Sequence, residues 1–206
     1  MSSRVERFGA VLFDFGGVLI TPITDKVHKV ADRAGVTMPH MLEVLMGTHD
    51  STHHHPWHRA ERGEIAVAEI QGLLGPYADA VGLTLLGDEV EILLTPSTYS
   101  KNQLLVDRIV TLKQQGYAVG LLTNSFKEFR PQLGRELDLD AFDVIVDSSE
   151  VGARKPEPEI YRTATAAFGL APGEIVYLDD FIQNVEGARR EGWEVIHVHS
   201  EAQALA

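Results

Sequence analysis

The amino-acid sequence predicts an α/β protein in which a parallel sheet carries an inserted α-helical cap. The apolar run at residues 9–13 ends in an acidic residue and is typical of a strand buried on both faces. From residue 102 onward, helical and strand-like segments alternate at the spacing of right-handed βαβ units. The segment between these regions shows helical patterns throughout. We therefore expect residues 1–20 and 101–206 to form the core and residues 21–100 to form the cap.

Apolar periodicity and glycine or proline stop signals place the individual elements. Helices are expected at 24–34, 39–47, 60–77 and 87–94 in the cap, and at 103–115, 125–137, 156–168 and 182–191 in the core. Strands are expected at 9–13, 118–122, 144–146, 175–178 and 194–198. The start of the helix at Ser125 depends on a capping box with Glu128, three residues later.

Composition excludes several classes of function. The chain has 206 residues, a net charge of −12 and no cysteine. A strongly acidic protein repels phosphate backbones and anionic membranes, so nucleic-acid binding is not expected. The absence of cysteine favours a cytoplasmic location. No apolar run is long enough to span a membrane, and the charged N-terminal residues are not typical of a signal peptide.

The first strand ends in a residue of unusual type for its position. Asp14 follows the apolar run directly, and Gly16 and Gly17 allow the backbone to turn sharply close to a ligand. A buried carboxylate is costly unless it is paired or bound to a metal, and open α/β sheets bind ligands at the carboxyl ends of their strands. Asp14 is thus a candidate for chemistry, with a structural role in capping the following turn as the alternative.

Three other positions carry polar residues at predicted strand ends or before a helix. Thr123 and Asn124 end the second strand, where a hydroxyl and free N–H groups can hold a phosphate or simply cap a helix. Lys155 precedes a helix and could equally be a solvated surface charge. Asp179 and Asp180 end the fourth strand, and adjacent carboxylates repel each other unless a cation or a proton intervenes.

Taken in this order, the four motifs resemble those of the haloacid dehalogenase superfamily. The resemblance extends from Asp14 to Asp180, nearly the whole chain, and favours the subgroup whose helical cap is inserted after the first strand of a Rossmann-like core. The stretch F-D-F-G-G-V-L and the cap stretch from Arg59 to Ile65 are similar to the N-terminal phosphatase domain of soluble epoxide hydrolases.

The resemblance implies a catalytic role for three of these residues. Asp14 occupies the position of the nucleophile that forms an aspartyl-phosphate. Thr123 and the N–H group of Asn124 would bind phosphoryl oxygens, and Lys155 would neutralise Asp14 and the transferring group. A carboxylate attacks phosphorus only where cations and hydrogen-bond donors offset the phosphoryl charge.

The resemblance also implies Mg²⁺ as the cofactor. Its ligands would be Asp14, the backbone carbonyl of Gly16 and Asp180, with Asp179 binding directly or through water. Mg²⁺ prefers oxygen ligands of these kinds. Asn184, four residues beyond Asp180, matches a position that would steady the acidic loop.

One position departs from the family pattern. Phosphatases of the superfamily carry a second Asp two residues after the nucleophile as general acid and base, and here that position is Gly16. The protein could therefore be a slow phosphatase that favours good leaving groups, or a cap group could replace the lost acid, or the site could bind metal and phosphate without turnover.

The cap offers a candidate for that replacement. Histidines crowd one stretch, at His49, His53, His54, His55 and His58, and histidine titrates near neutral pH. The alternatives are a surface loop with chance histidines and a transition-metal site, which the lack of a fixed ligand spacing does not favour. Trp57, in the same stretch, is expected to anchor the core of the cap.

The sequence therefore predicts a Mg²⁺-dependent phosphomonoesterase acting on a small phosphorylated molecule, as a monomer or a homodimer. A non-catalytic binding protein of the same fold is one alternative. A dehalogenase in which Asp14 attacks carbon is another, but that chemistry needs no metal and the acid pair at 179–180 argues against it.

Overall fold

Five parallel strands form the central sheet of the computed structural model, which describes residues 8–48, 54–95 and 100–205. The strands are β1 (Ala10–Phe13), β2 (Ala118–Thr123), β3 (Val144–Asp147), β4 (Ile175–Asp179) and β5 (Glu194–His197). Their order across the sheet is β3-β2-β1-β4-β5. The predicted α/β fold with a parallel sheet is confirmed.

The register of the sheet brings the predicted site residues to one edge. β1 lies in the centre, and its last residue, Phe13, pairs with Leu121 of β2 and Leu178 of β4. Parallel strands all end at the same edge of the sheet, and Thr123 and Asp179 are the last residues of β2 and β4. The residues that follow β1, β2 and β4 therefore face a common space.

Twelve α-helices are present in the part of the chain that the structure describes. Between β1 and β2 lie α1 (Thr24–Ala34), α2 (Met38–Met46), α3 (Pro56–Glu61), α4 (Val67–Leu73), α5 (Gly75–Ala80), α6 (Glu89–Leu94) and α7 (Gln103–Gln114). The rest are α8 (Arg130–Glu136), α9 (Ser148–Val151), α10 (Pro158–Phe168), α11 (Ile182–Arg190) and α12 (Glu201–Leu205). Short 3₁₀ turns lie at Lys127–Phe129, Leu139–Ala141 and Pro172–Glu174.

The single helix predicted at 60–77 is wrong, because three short helices, α3, α4 and α5, occupy this region. Gly63 adopts a left-handed φ of 69° after α3, which ends the first helix. The Glu69 carboxylate then accepts a 2.8 Å bond from the N–H of Ala66 and starts α4. A proline at the second position of α5 begins the third helix.

The predicted capping box at Ser125 is also wrong. The N–H of Ser125 donates to Ser148 Oγ at 3.0 Å, and the carboxylate of Glu128 accepts from the N–H of Val67 in the helical segment. Both partners thus come from other parts of the fold, and α8 begins only at Arg130, after the 3₁₀ turn. Tertiary contacts override the local pattern here.

Apolar residues alternate between the two faces of the sheet and make it the middle of three layers. On β2, Val119 and Leu121 belong to one buried cluster and Leu122 belongs to the other. Residues of α10 and α11 cover the face of Leu122, and residues of α7 and α8 cover the opposite face. The sheet is therefore buried on both sides, as its continuous apolar strands predict.

Residues 21–100 enclose a third buried cluster, which also takes in Phe126 from the second part of the chain. The chain enters and leaves this segment side by side: the N–H of Thr21 donates to the carbonyl of Ser100 at 2.9 Å, and the N–H of Asn102 donates to the carbonyl of Leu19 at 2.9 Å. The division into core and cap at these residues stays a prediction. Within the described residues, no helix has the length and apolar character needed to cross a bilayer.

Candidate active site

Lys155 stands at the centre of the polar residues at the sheet edge. Its Nζ lies 2.7 Å from Oδ1 of Asp14 and 2.8 Å from Oδ2 of Asp179, and it donates to the hydroxyl of Tyr177 at 2.9 Å. The side chain is only 1% exposed. Residues separated by more than 140 positions in the sequence thus meet around one ammonium group, as the strand-end pattern indicates.

Asn124 fixes the loop that presents the lysine. Its amide Nδ2 donates to the carbonyl of Lys155 at 3.0 Å, and its Oδ1 accepts from the N–H of Lys155 at 2.8 Å. This pair of bonds joins the end of β2 to the loop before α10. Thr123, beside it, is buried and contributes to the cavity wall, so its position is compatible with the phosphate contact that the sequence predicts.

Asp179 is held by hydrogen bonds on both of its oxygens. Oδ1 accepts from the N–H of Phe181 at 2.7 Å, and Asn184 Nδ2 lies 3.1 Å from Oδ1 and 3.0 Å from Oδ2. The hydroxyl of Tyr177 also donates to Oδ2. The sequence predicted a supporting role for Asn184 but gave none to Tyr177. Tyr177 and Asp179 are two residues apart on a strand, so their side chains lie on the same face of the sheet.

Asp180 completes a group of three carboxylates. Oxygens of Asp14, Asp179 and Asp180 all lie within 4.8 Å of one another. Burial raises the pKa of Asp180 to about 7, with a further contribution from the charge of Asp179, and burial is also the main cause that raises the pKa of Asp14 well above its usual value. Oδ1 of Asp180 is buried and has no hydrogen-bond partner among the described residues.

These residues fit a divalent cation with oxygen ligands. The cluster contains three carboxylates and one lysine, and one buried oxygen of Asp180 has no hydrogen-bond partner among the described residues. A further positive charge would stabilise these buried carboxylates. Gly17 adds a steric observation: its φ is +79°, and a Cβ at this position would lie 2.0 Å from Oδ2 of Asp180. The glycine thus keeps open the space that this carboxylate occupies. Mg²⁺ is the hard cation that carboxylate and carbonyl oxygens suit.

A cavity of about 160 Å³ lies between the sheet edge and the helical segment. Its floor is polar and includes Asp14, Gly16, Thr123, Asn124 and Lys155. Its upper wall is mainly apolar and is formed by Phe15, Ile20, Ile23, Met46, Trp57, Leu94, Phe126, Phe129, Leu133 and Phe181. A ligand in this space would meet charged groups at one end and apolar side chains along most of its length.

A buried ion pair that sequence reasoning missed interrupts the apolar wall. Arg154 Nε donates to Oε2 of Glu61, and Trp57 Nε1 donates to Oε1 of Glu61 at 3.0 Å. Both charged residues line the cavity and are nearly fully buried. The signal available in the sequence was that Arg154 directly precedes Lys155, so the backbone that places one side chain also places the other.

The helical segment is docked on the core by further contacts outside the cavity. Arg62 Nη1 donates to Oε1 of Glu157 at 2.9 Å, and Lys127 Nζ donates to the carbonyl of Gly63 at 2.6 Å. Trp57, which the sequence predicts as an anchor, is buried and packs edge-on against Phe126 with ring centroids 5.0 Å apart.

The three described histidines of the predicted group, His54, His55 and His58, do not line the cavity. His55 and His58 are buried away from the cavity wall, and desolvation lowers their pKa values to about 4 and about 3, so both are neutral at pH 7. His54 is exposed and does not line the cavity either. His49 and His53 lie outside the described residues. For the three described histidines, replacement of the lost acid is a wrong interpretation.

Together, the parallel sheet and the carboxylate–lysine cluster define an α/β protein with a ligand site at the carboxyl ends of its strands. Comparison with known families makes this specific. The sequence profile of the haloacid dehalogenase-like hydrolases matches residues 8–192. The chain belongs to this family of hydrolases.

Curated relatives include several phosphatases. Bifunctional epoxide hydrolase 2 of Mus musculus is 34% identical over 112 residues, which are 52% of this chain and 20% of the mouse protein. The sesquiterpene phosphatase astK of Aspergillus oryzae is 28% identical over 196 residues, covering 93% of this chain and 90% of the fungal protein. The chain spans about a fifth of the length of the epoxide hydrolases that it matches.

Solved structures share the fold. An HAD family enzyme from Bacteroides thetaiotaomicron, bt-2542, in complex with magnesium and inorganic phosphate, superposes with a TM-score of 0.65 at 20% identity and covers 94% of this chain and 96% of its own. The L-2-haloacid dehalogenase of Xanthobacter autotrophicus superposes with a TM-score of 0.62 at 17% identity, over 96% of this chain and 81% of its own.

Proposed function

We propose that the protein is a Mg²⁺-dependent phosphomonoesterase that acts through an aspartyl-phosphate on Asp14. One observation carries the proposal: the ammonium group of Lys155 contacts Asp14 and Asp179 at once, beside the unpartnered carboxylate oxygen of Asp180. A nucleophile, a fixed positive charge and a metal-binding carboxylate therefore lie within one small volume. This is the arrangement that phosphoryl transfer needs, because its transition state is stabilised mainly by positioning and charge.

The metal would be held by Asp14, the carbonyl of Gly16 and Asp180. Both oxygens of Asp179 already accept hydrogen bonds, which supports a contact of this residue through water. Bound Mg²⁺ supplies positive charge against the phosphoryl oxygens. Lys155 adds a second charge and keeps the nucleophilic carboxylate oriented through its 2.7 Å contact.

The reaction proposed for these residues has two steps. An oxygen of Asp14 attacks phosphorus, forming a new O–P bond while the bond from phosphorus to the substrate alcohol breaks. Thr123 and the N–H group of Asn124 would hold phosphoryl oxygens in place. Water then attacks the phosphorus of the aspartyl-phosphate, which releases inorganic phosphate and restores the Asp14 carboxylate. The leaving alkoxide takes its proton from solvent, because Gly16 has no side chain to donate one.

The substrate class follows from the floor and from the relatives. We propose a small phosphorylated organic molecule, which is supported by relatives named phosphoglycolate phosphatase in Nitrosococcus oceani and phosphoserine phosphatase in Thermus thermophilus. The unpartnered carboxylate of Asp180 argues against metal-free dehalogenation. The cytoplasmic location and the monomeric or homodimeric state stay predictions.

Hydrolysis of p-nitrophenyl phosphate tests the proposal. We expect turnover that requires Mg²⁺, stops with a chelator and is lost in Asp14→Asn. Asp147→Asn is the matched control, because Asp147 is also a buried aspartate at a strand end but does not line the cavity. Beryllium fluoride, a phosphate mimic, should bind the wild type and not Asp14→Asn. No turnover over a broad panel of phosphate esters, or turnover unaffected by Asp14→Asn, would refute it.

A further inference from the structure

Arg154 has donor groups that the protein itself leaves unused. The side chain is 7% exposed and lines the cavity, and its Nε is bound to Glu61. Its two Nη atoms make no hydrogen bond to any residue in the described ranges. By contrast, the buried Lys155 next to it has its donor groups directed at three protein oxygens.

Because the Nη atoms of Arg154 bond to no described residue, they favour a ligand that carries a hydrogen-bond acceptor. The wall around Arg154 is mainly apolar, with Trp57 and Phe126 among its residues. The Nη atoms are not among the buried atoms that lack a partner, so they are accessible to water in the cavity. A hydrogen bond to a charged donor is stronger than a bond between neutral groups. A substrate oxygen that reached the Nη atoms would replace this water and form a charge-assisted hydrogen bond.

The neighbouring charge indicates which kind of oxygen is suited. Glu61 neutralises Arg154, and its own two oxygens are taken by Arg154 and Trp57. A substrate carboxylate would therefore approach a second carboxylate in a mainly apolar space, where like charges repel strongly. An uncharged oxygen, as in a hydroxyl, carbonyl or ether group, accepts the bond without that repulsion.

We propose that Arg154 is a specificity-determining residue that donates a hydrogen bond to an uncharged oxygen on the organic part of the substrate. The substrate class is then the phosphate monoester of a compact, mainly apolar, uncharged alcohol that carries one such oxygen. The volume of about 160 Å³ also includes the floor that would bind the phosphoryl group, so the organic part is expected to be no larger than one six-membered ring, since a cavity of about 150 Å³ holds benzene alone. This inference rests on the proposed function only in that the floor binds the phosphoryl group.

Three benzylphosphonates test the inference by binding alone. These compounds have a C–P bond that cannot be hydrolysed, so leaving-group chemistry does not enter. The ring carries an isopropyl, an acetyl or a carboxylate group at the same position, and dissociation constants are measured by calorimetry with Mg²⁺ present. Ring positions meta and para are both used. We expect the acetyl compound to bind roughly tenfold more tightly than its isopropyl counterpart, and more tightly than the carboxylate.

The double variant Arg154→Met/Glu61→Gln removes the donor without leaving a buried charge, and the introduced glutamine can still accept from Trp57. We expect its ratio of acetyl to isopropyl affinity to fall to about one. The control Arg162→Met/Glu191→Gln removes an ion pair that lies outside the cavity and does not involve Arg154, and it should keep the wild-type ratio.

Each outcome decides between a recognition role and a structural one. A wild-type ratio near one, a ratio that survives the Arg154 variant, or tightest binding of the carboxylate compound would overturn the inference. The acetyl preference without any ester hydrolysis would instead refute the proposed phosphatase activity and leave the role of Arg154 supported. Failure of all three compounds to bind would count against both.

Discussion

Replacement of Gly16 by Asp should raise the hydrolysis of esters with poor leaving groups. Gly16 lies two residues after Asp14 and lines the cavity floor. A Cβ at this position would meet no heavy atom within 4 Å, and the residue is not among the glycines with positive φ. A side chain can thus enter the cavity at this point without a clash or backbone strain.

The expected gain follows from what a general acid contributes. Proton donation to the leaving oxygen is typically worth 10²–10⁴-fold in rate. We expect the lower end, about 10²-fold, for benzyl phosphate, because the new carboxyl group has no hydrogen bonds that evolved to orient it. For p-nitrophenyl phosphate we expect a change of roughly threefold or less, since its leaving group departs without a proton and Brønsted behaviour then gives the acid little effect.

The assay compares kcat/KM for the two esters in wild type, Gly16→Asp and Gly16→Asn. Asparagine has nearly the same shape as aspartate but donates no acidic proton, so it controls for packing and for changes in substrate binding. A bell-shaped pH profile should appear only in Gly16→Asp. Equal gains for the two variants, or equal gains on both esters, would refute the reasoning that a general acid is what the site lacks.

Three further perturbations follow from the same geometry. Gly17→Ala should weaken Mg²⁺ binding roughly 10–100-fold in calorimetry, because the new Cβ displaces the carboxylate of Asp180. Gly35→Ala, at a similar positive φ in open space, should leave Mg²⁺ binding unchanged. Equal effects of the two substitutions would contradict this. Lys155→Met should lower the free energy of unfolding by about 3–5 kcal/mol in denaturant titrations, because its two buried carboxylate partners lose their cation; a loss below about 1 kcal/mol would contradict this. His55 and His58 take up protons in the unfolded chain below about pH 6.5 but in the folded chain only below about 4 and about 3, so stability should fall by roughly 5 kcal/mol, about 2.5 kcal/mol for each histidine, as the pH drops from 6.5 to 4. An equally steep fall in His55→Gln/His58→Gln would show that other groups cause it.

The sheet and the floor of the site could be predicted from the sequence because both depend on strand ends. Apolar runs ending in Asp14, Thr123 and Asp179 fix where each strand stops, and parallel pairing then brings those ends to one edge. The role of Lys155 could not be predicted from the residue pattern alone, because a lysine in a loop is usually solvated. The family resemblance supplied that residue, and the structure places its ammonium group between two carboxylates.

The helical segment was harder to predict because its helices are short and depend on contacts with distant residues. The wrong helix at 60–77 contains left-handed Gly63, and the wrong capping box failed because Glu128 bonds to the N–H of Val67. The Glu61–Arg154 pair was missed for a related reason: the position of Arg154 beside Lys155 places its side chain near the site, but nothing near Arg154 in the sequence indicates Glu61 as its partner. Such pairs form only when two parts of the chain dock.

The floor and the wall of the cavity have different roles in the proposed function. In the proposed function, the floor, with Asp14 and Lys155, would contact only the phosphoryl group and would not distinguish one alcohol from another. The mainly apolar wall above it lowers the local dielectric constant, which strengthens each charge–charge contact on the floor. The shape of the wall and the guanidinium of Arg154 would contact the alcohol. Arg154 should therefore affect which alcohol binds, whereas the residue at position 16 should affect which alcohol can depart as a leaving group. Substitutions at the two positions should change substrate selectivity independently.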